Sequence, residues 1–181
     1  TNAITGLGFQ PDVVWGKSRS NAQNHFLADS TNGTGKDLIP DGNYAQQTEN
    51  GVTAFGTDGW TMGSIYNTNA YTYVGWTWRA NGGTTSSGSG DLTSTHQVDP
   101  SGGFSIVKAV GDGGSGDKTV SHGLSGTPDC IIAKNIDATF NWDTFWSNGL
   151  TATSYSIRLN TTDNQLSGRW GTVNSSIFTC K

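Results

Sequence analysis

One twelve-residue motif occurs twice in this chain, 117 residues apart: "GLGFQPDVVWGK" at 6–17 and "GLSGTPDCIIAK" at 123–134. Without a gap the two agree at Gly6/Gly123, Leu7/Leu124, Pro11/Pro128, Asp12/Asp129 and Lys17/Lys134. Apolar residues match at Val13/Cys130, Val14/Ile131 and Trp15/Ile132. An internal repeat means that one supersecondary unit is built twice, and any fold must house both copies. The match continues with "FGT" at 55–57 against "WGT" at 170–172, and "GWTM" at 59–62 against "IFTC" at 177–180. Each copy reads strand, strand, polar excursion, strand, strand. Within the motif Pro fixes φ to start a turn, Asp caps it, and Lys ends the following strand at solvent.

The residues around the motif favour strands. Gly is 26 of 181 residues, charged residues are 13% and aromatic ones 10%. Aromatic and β-branched side chains pack on pleated surfaces, while Gly and Asn tolerate tight turns. "DVVWGK" and "HFLADS" read as strands, and "GVTAFGTDGWTMGS" as two strands around a turn. "AYTYVGWTWRA" alternates, with Tyr71, Tyr73, Gly75 and Thr77 on one face and Thr72, Val74, Trp76 and Trp78 on the other. "GFSIVKAV", "SYSIRLN" and "RWGTVNSSIFTCK" supply strands of the second copy. Parallel pairing is disfavoured, because no helical crossover of a dozen or more residues separates the strands. The expected fold is all-β: an antiparallel β-sandwich, jelly-roll or concanavalin-like, made of two homologous repeats. Residues 1–80 form the first repeat, 81–103 a Gly/Ser/Thr-rich linker, and 104–181 the second repeat, its C-terminal strand missing.

Each copy is short of one strand, since the first lacks a counterpart of "GFSIVKAV" and the second one of "YTYVGWTW". An uncovered sheet edge is a hazard that proteins manage. Either these two segments pair with each other inside the chain, or neighbouring polypeptide fills the gaps; the second solution is preferred.

Composition excludes several function classes. A net charge of -4 without a Lys/Arg cluster gives no surface for nucleic acid. No apolar run approaches the length of a membrane-spanning helix. The opening "TNAITGLGF" has neither the basic nor the apolar region of a signal peptide, which suggests a processed chain or an excerpt. Cys130 and Cys180 are too few for a disulfide framework, and whether they meet is open. Cys130 reads as a small buried hydrophobe.

Chemistry is scarce. A glycosidase needs two carboxylates close together, but thirteen Asp accompany the single Glu, Glu49, and most of the Asp sit in turn contexts such as Asp58-Gly59 and Pro128-Asp129. His25, His96 and His122 read as surface or turn residues, and no complete G-x-S-x-G elbow accompanies them. His/Cys pairs at zinc spacing are absent. "GDGGSGD" puts Asp112 and Asp117 around glycines, so calcium is the one metal alternative to a plain hairpin loop. Seven Trp are the anomaly. Strand-period spacing assigns Trp15, Trp76 and Trp78 to a core. Asn141, Trp142, Asp143 and Trp146 are the candidate glycan platform, with indole faces to stack on sugar rings and polar neighbours to bond the hydroxyls. Core filling is the competing reading for both indoles. Sequons at Asn32, Asn160 and Asn174 are expected by chance in so Asn-, Ser- and Thr-rich a chain.

Taken together, "TGLGFQPDVVWGKSRS", "AFGTDGWTMGS", "AYTYVGWTWRANGG", "SGGFSIVKAVGD" and "VSHGLSGTPDCIIAKN" resemble a tandem repeat of large virion proteins of tailed phages, marine and cyanobacterial ones especially. There it accompanies concanavalin-like or SPRY-like sandwich modules. The resemblance spans essentially the whole chain. It implies a structural or tail-fibre component at the particle surface, partnered by copies of itself or by neighbouring virion proteins, and it carries over no catalytic residue. Cys130 and Cys180 depart from the aliphatic residues usual there, and the stop at Lys181 precedes the expected closing strand. A non-enzymatic virion repeat, with host attachment as a further role, is therefore the expected function. A glycan-binding module and, behind it, a polysaccharide-degrading enzyme using Glu49 are the alternatives.

Overall fold

The computed structural model describes residues 2–150 and 154–181. Among them every regular element is a strand, and every strand pairing is antiparallel. The chain divides into two compact units. The first comprises Thr1–Gly83 with Asn135–Phe140, and the second Thr84–Lys134 with Asn141–Lys181.

In the first unit β1 (Asn2–Thr5), β6 (Val52–Gly56) and β7 (Gly59–Met62) form a sheet in the order β1-β7-β6. A second sheet places β2 (Val13–Ser18) between β3 (Phe26–Asp29) and β8 (Tyr73–Trp78), and β4 (Lys36–Asp37) pairs with β5 (Gln47–Thr48) in a short ribbon. The core draws on both sheets: Val14, Phe26 and Ala28 bury against Val52, Trp60 and Met62, with Tyr66 stacked on Phe26 at 4.1 Å. Alternation explains the selection, because Val14, Gly16, Phe26 and Ala28 share one face of their sheet while Trp15 and Leu27 share the other.

The second unit holds three sheets. β9 (Ser86–Gly88), β10 (Ser94–Val98) and β11 (Ser105–Ala109) run in the order β11-β10-β9. β12 (Lys118–Ser121), β16 (Trp170–Val173) and β17 (Ile177–Cys180) run β12-β17-β16. β13 (Cys130–Ala133), β14 (Asp143–Trp146) and β15 (Ile157–Arg158) run in chain order. Val120, Phe145, Trp170 and Phe178 form its core, the indole meeting both phenyl rings edge-on at 6.3 and 5.9 Å.

The repeat is structural. β2 pairs with β3 through Val13↔Asp29 and Gly16↔Phe26, and β13 pairs with β14 through Cys130↔Trp146 and Ala133↔Asp143, each partner displaced by the motif's own spacing. β1 on β7 recurs as β12 on β17. Trp170 faces Cys180 as Val52 faces Met62, so Trp170 takes the place of Val52 rather than that of Phe55.

One expectation is corrected. The stretch 81–103 is no simple linker, since it supplies β9 and β10; Ser94 and Gln97 of β10 are buried, so small and polar residues do core work there. Of the two solutions for the missing strands, the less favoured one, pairing of "FSIVKAV" with "YTYVGWTW", is not formed: β11 lies on β10 and β8 on β2.

Candidate functional site

Among the described residues the repeated motif builds a densely hydrogen-bonded polar site. Gly6 and Gly123 both adopt left-handed φ, +94° and +73°, which explains why both copies open on Gly. Their caps differ. In the first unit Asp58 accepts from Gly6 N–H at 3.0 Å and Gly8 N–H at 2.6 Å, bonds that hold its carboxyl below the usual range. In the second unit the buried His122 ring takes that place: Nδ1 accepts from Leu124 N–H at 3.1 Å, which leaves Nε2 to donate to the Asn174 carbonyl at 3.0 Å.

Asp12 is fully buried and saturated. Oδ2 accepts from Ala80 N–H at 2.7 Å and Gly82 N–H at 3.0 Å. Oδ1 accepts from Ser30 Oγ at 2.7 Å, Gly83 N–H at 3.0 Å and Gln10 Nε2 at 3.3 Å. Positive φ at Gly82 and Gly83 folds the turn after β8 so that its N–H groups converge on the carboxylate. Its second-unit counterpart, Asp129, keeps only the local half of this arrangement. Ser147 Oγ donates to Asp129 Oδ1 at 2.7 Å, and Ser147 N–H to the Asp129 carbonyl at 2.8 Å, as Ser30 does to Asp12. Asp129 is exposed, and among the described residues β13 pairs with β14 alone.

The motif's lysine does not end the strand in free solvent. Lys17 Nζ donates to the carbonyls of Ser18, Asn21 and Gln23 at 2.9, 3.3 and 2.7 Å, which ties down the loop after β2. Partial burial lowers the pKa of Lys134.

The four residues of the glycan platform do not share a face. Trp142 and Trp146 lie on one side of their strand, while Asp143 lies with Phe145 on the core side, its Oδ1 accepting from Ser156 Oγ at 3.2 Å. Asn141 sits between Asn160 and Arg158. Trp142 is buried, and Trp146 is 49% exposed. The face assignment of β8 holds, but Trp76 and Trp78 are on its outer side and exposed, contrary to the core expectation. Trp15 meets Trp76 edge-on at 6.5 Å and donates from Nε1 to His25 Nδ1 at 3.0 Å.

A second polar cluster escaped the sequence reading. Asp37 is fully buried; Gly51 N–H donates to Oδ2 at 3.0 Å, and Oδ1 has no partner. Burial first, and the nearby charge of Glu49 next, push its pKa up to about 6. Burial and the same carboxylates raise the Tyr66 hydroxyl. Glu49 therefore does have a carboxylate neighbour, and that neighbour is fully buried. The one sequence signal was an Asp inside a strand, "KDLI", rather than in a turn.

Asp112 is engaged by Lys118 Nζ at 2.7 Å and Gly114 N–H at 2.9 Å, and Asp117 faces Lys181 at 3.9 Å. Among the described residues no three His, Cys, Asp or Glu side chains come together as a metal site requires. Both cysteines are free thiols, with pKa values raised chiefly by burial.

Fold and site together define an all-β protein of antiparallel sheets with a carboxylate clasped by backbone N–H groups. The chain belongs to the family described as "Domain of unknown function (DUF7483)", whose model matches residues 1–180. No curated protein and no solved structure matches it.

Proposed function

We propose that this protein is a non-enzymatic structural repeat module of a virion appendage, exposed at the particle surface, and that its units are antiparallel β-sandwiches of jelly-roll type. The observation that carries this reading is the recurrence of the β2–β3 register in β13–β14, and of the Ser-to-Asp bond beside it. Each unit draws its core from more than one sheet, as a sandwich does. Polar side chains are committed to backbone: Asp12, Asp58, Lys17 and His122 each close a turn or loop. Such an investment suits a module that must be rigid and repeatable. Gold-labelled antibody against the purified chain should decorate the tail or surface appendages of intact phage particles encoding it. Label found only in lysed host cells would remove the virion assignment.

Exposed indoles favour a second reading, host-glycan binding. Trp146 stands free on the second unit, and Trp76 and Trp78 stand on the first. Glycan-array binding that disappears in Trp146→Ala or Trp76→Ala, with unchanged thermal unfolding, would establish it. Retention in both variants would end it.

A further inference from the structure

We propose that the edge of β13, with Asp129 at its head, is an acceptor for an added β-strand of the β8 type: an extended aromatic and β-branched segment closed by a small-residue turn. The inference deepens the repeat-module reading and rests on it.

The molecule holds its own template. In the first unit β8 lies antiparallel on β2 with Val13 opposite Trp78, Trp15 opposite Trp76 and Ser18 opposite Tyr73. The turn that follows then delivers the N–H groups of Ala80, Gly82 and Gly83 to Asp12. The second unit repeats the receiving half. It has the same Pro-Asp turn, the same serine on the same carboxylate oxygen, and the same pairing on the β14 side. Only the occupant differs: Asp129 is exposed, and Ile132, which stands where Trp15 stands, is 44% exposed.

Among the described residues the edge also lacks protection. Sheet edges left to solvent are normally blunted by charge, proline or a bulge, whereas β13 reads Cys-Ile-Ile-Ala. An incoming strand would satisfy the open backbone of β13 by β-augmentation. Its residues in the places of Trp76 and Trp78 would cover Ile132 and Cys130 on the outer face, and its terminal turn would reach Asp129. The β8 strand of the same chain is already seated on β2, so the occupant is a β8-type segment of another repeat.

The test uses the intact chain, labelled with nitrogen-15, and a synthetic peptide of residues 71–83, "YTYVGWTWRANGG". The expected result is saturable one-to-one binding, with chemical-shift changes and slowed amide exchange confined to residues 129–134. Asp129→Ala should weaken binding at least tenfold, and so should a peptide ending at Arg79, which lacks the turn. Asp129 is exposed, so its variant should stay folded; unchanged exchange in β14 would confirm that. No change in β13 at millimolar peptide overturns the proposal. So does protection at the edges of β8 or β11, or equal binding of a scrambled peptide. None of these failures bears on the particle-labelling experiment, so this proposal and the repeat-module reading fall separately.

Discussion

Asp12 and Asp129 occupy one place in two copies of one motif, yet the first is a buried charge with five donors and the second an exposed carboxylate bonded to Ser147. The strands that follow differ in the same sense. Four of the six residues of β2 are buried, and none of the four in β13. The motif itself therefore sets the turn, the strand and the first neighbour. Burial comes from a segment nearly seventy residues further on, which lays β8 along one copy's strand and a ring of N–H groups on its carboxylate. A charge can be taken out of water only where donors replace its hydration, and the pair displays that condition met and unmet in one chain.

The largest expected effect separates the two carboxylates. Asp12→Ala leaves the buried Ala80 N–H, and the more accessible donors of Gly82, Gly83 and Ser30, without this acceptor; an orphaned buried donor costs about 1–3 kcal/mol and an accessible one less. A loss on the order of 3 kcal/mol in the first unit follows, read as deprotection of β2 and β8 amides in hydrogen exchange. Asp129→Ala removes a bond that water replaces, so β13 and β14 should lose about 1 kcal/mol or less. Equal losses in both units would break the comparison.

How much of this was legible in sequence follows from how local each feature is. β2, β3, β6, β7 and β8 lie where alternation and turn residues put them, and the 117-residue spacing located their counterparts. β9 and β10 escaped because Ser, Thr, Gly and Gln carry no hydrophobic period, although Ser94 and Gln97 are buried. For β8 the period correctly placed Trp76 and Trp78 on one face. Which face turns inward depends on Trp60 and Val52 across the core, and that is nonlocal. The split of the Asn141–Trp146 platform was readable, because residues an odd number apart on a strand point oppositely. The local rule has Asp12 capping its own turn, whereas its backbone donors are Ala80, Gly82 and Gly83, in the turn after β8 and beyond any local rule.

A smaller effect tests how the two cores trade volume. Gly16 lies under Phe26, so an added methyl would sit 2.1 Å from that ring, and Tyr66 stacked above prevents the ring from yielding. In the second unit the matching pair is Ala133 and Asp143, and the large ring has moved one pair along, to Phe145 opposite Ile131. Gly16→Ala should destabilise the first unit by about 2 kcal/mol through overpacking. Ala133→Gly should cost the second unit about 0.5–1 kcal/mol, the ordinary price of a glycine in a strand. A tolerated Gly16→Ala would show that the Phe26 stack is loose.

The smallest effect is a slope in pH confined to one unit. Asp37 has a folded-state pKa of about 6 against an ordinary 3.8, with Glu49 beside it and Tyr66 and Asp41 in the same electrostatic neighbourhood. Between those two values the folded chain binds the proton that the unfolded chain releases. Stability therefore falls as pH rises through this window and stays lower above it. Asp58, Asp91, Asp112 and Asp163 are all shifted downward, so they are ionised in both states across most of that window and contribute little slope there. The place of Asp37 in the second unit is held by Ser156, buried and without charge, whose hydroxyl oxygen accepts from Thr144 N–H at 3.0 Å. Hydrogen exchange between pH 5 and 7, corrected for its intrinsic rates, should show the first unit losing on the order of 1 kcal/mol and the second unit unchanged. Asp37→Asn should flatten the first unit's profile, and Glu49→Gln should move its midpoint down. A slope that survives Asp37→Asn would assign the proton to another group and remove Asp37 as the source of the difference.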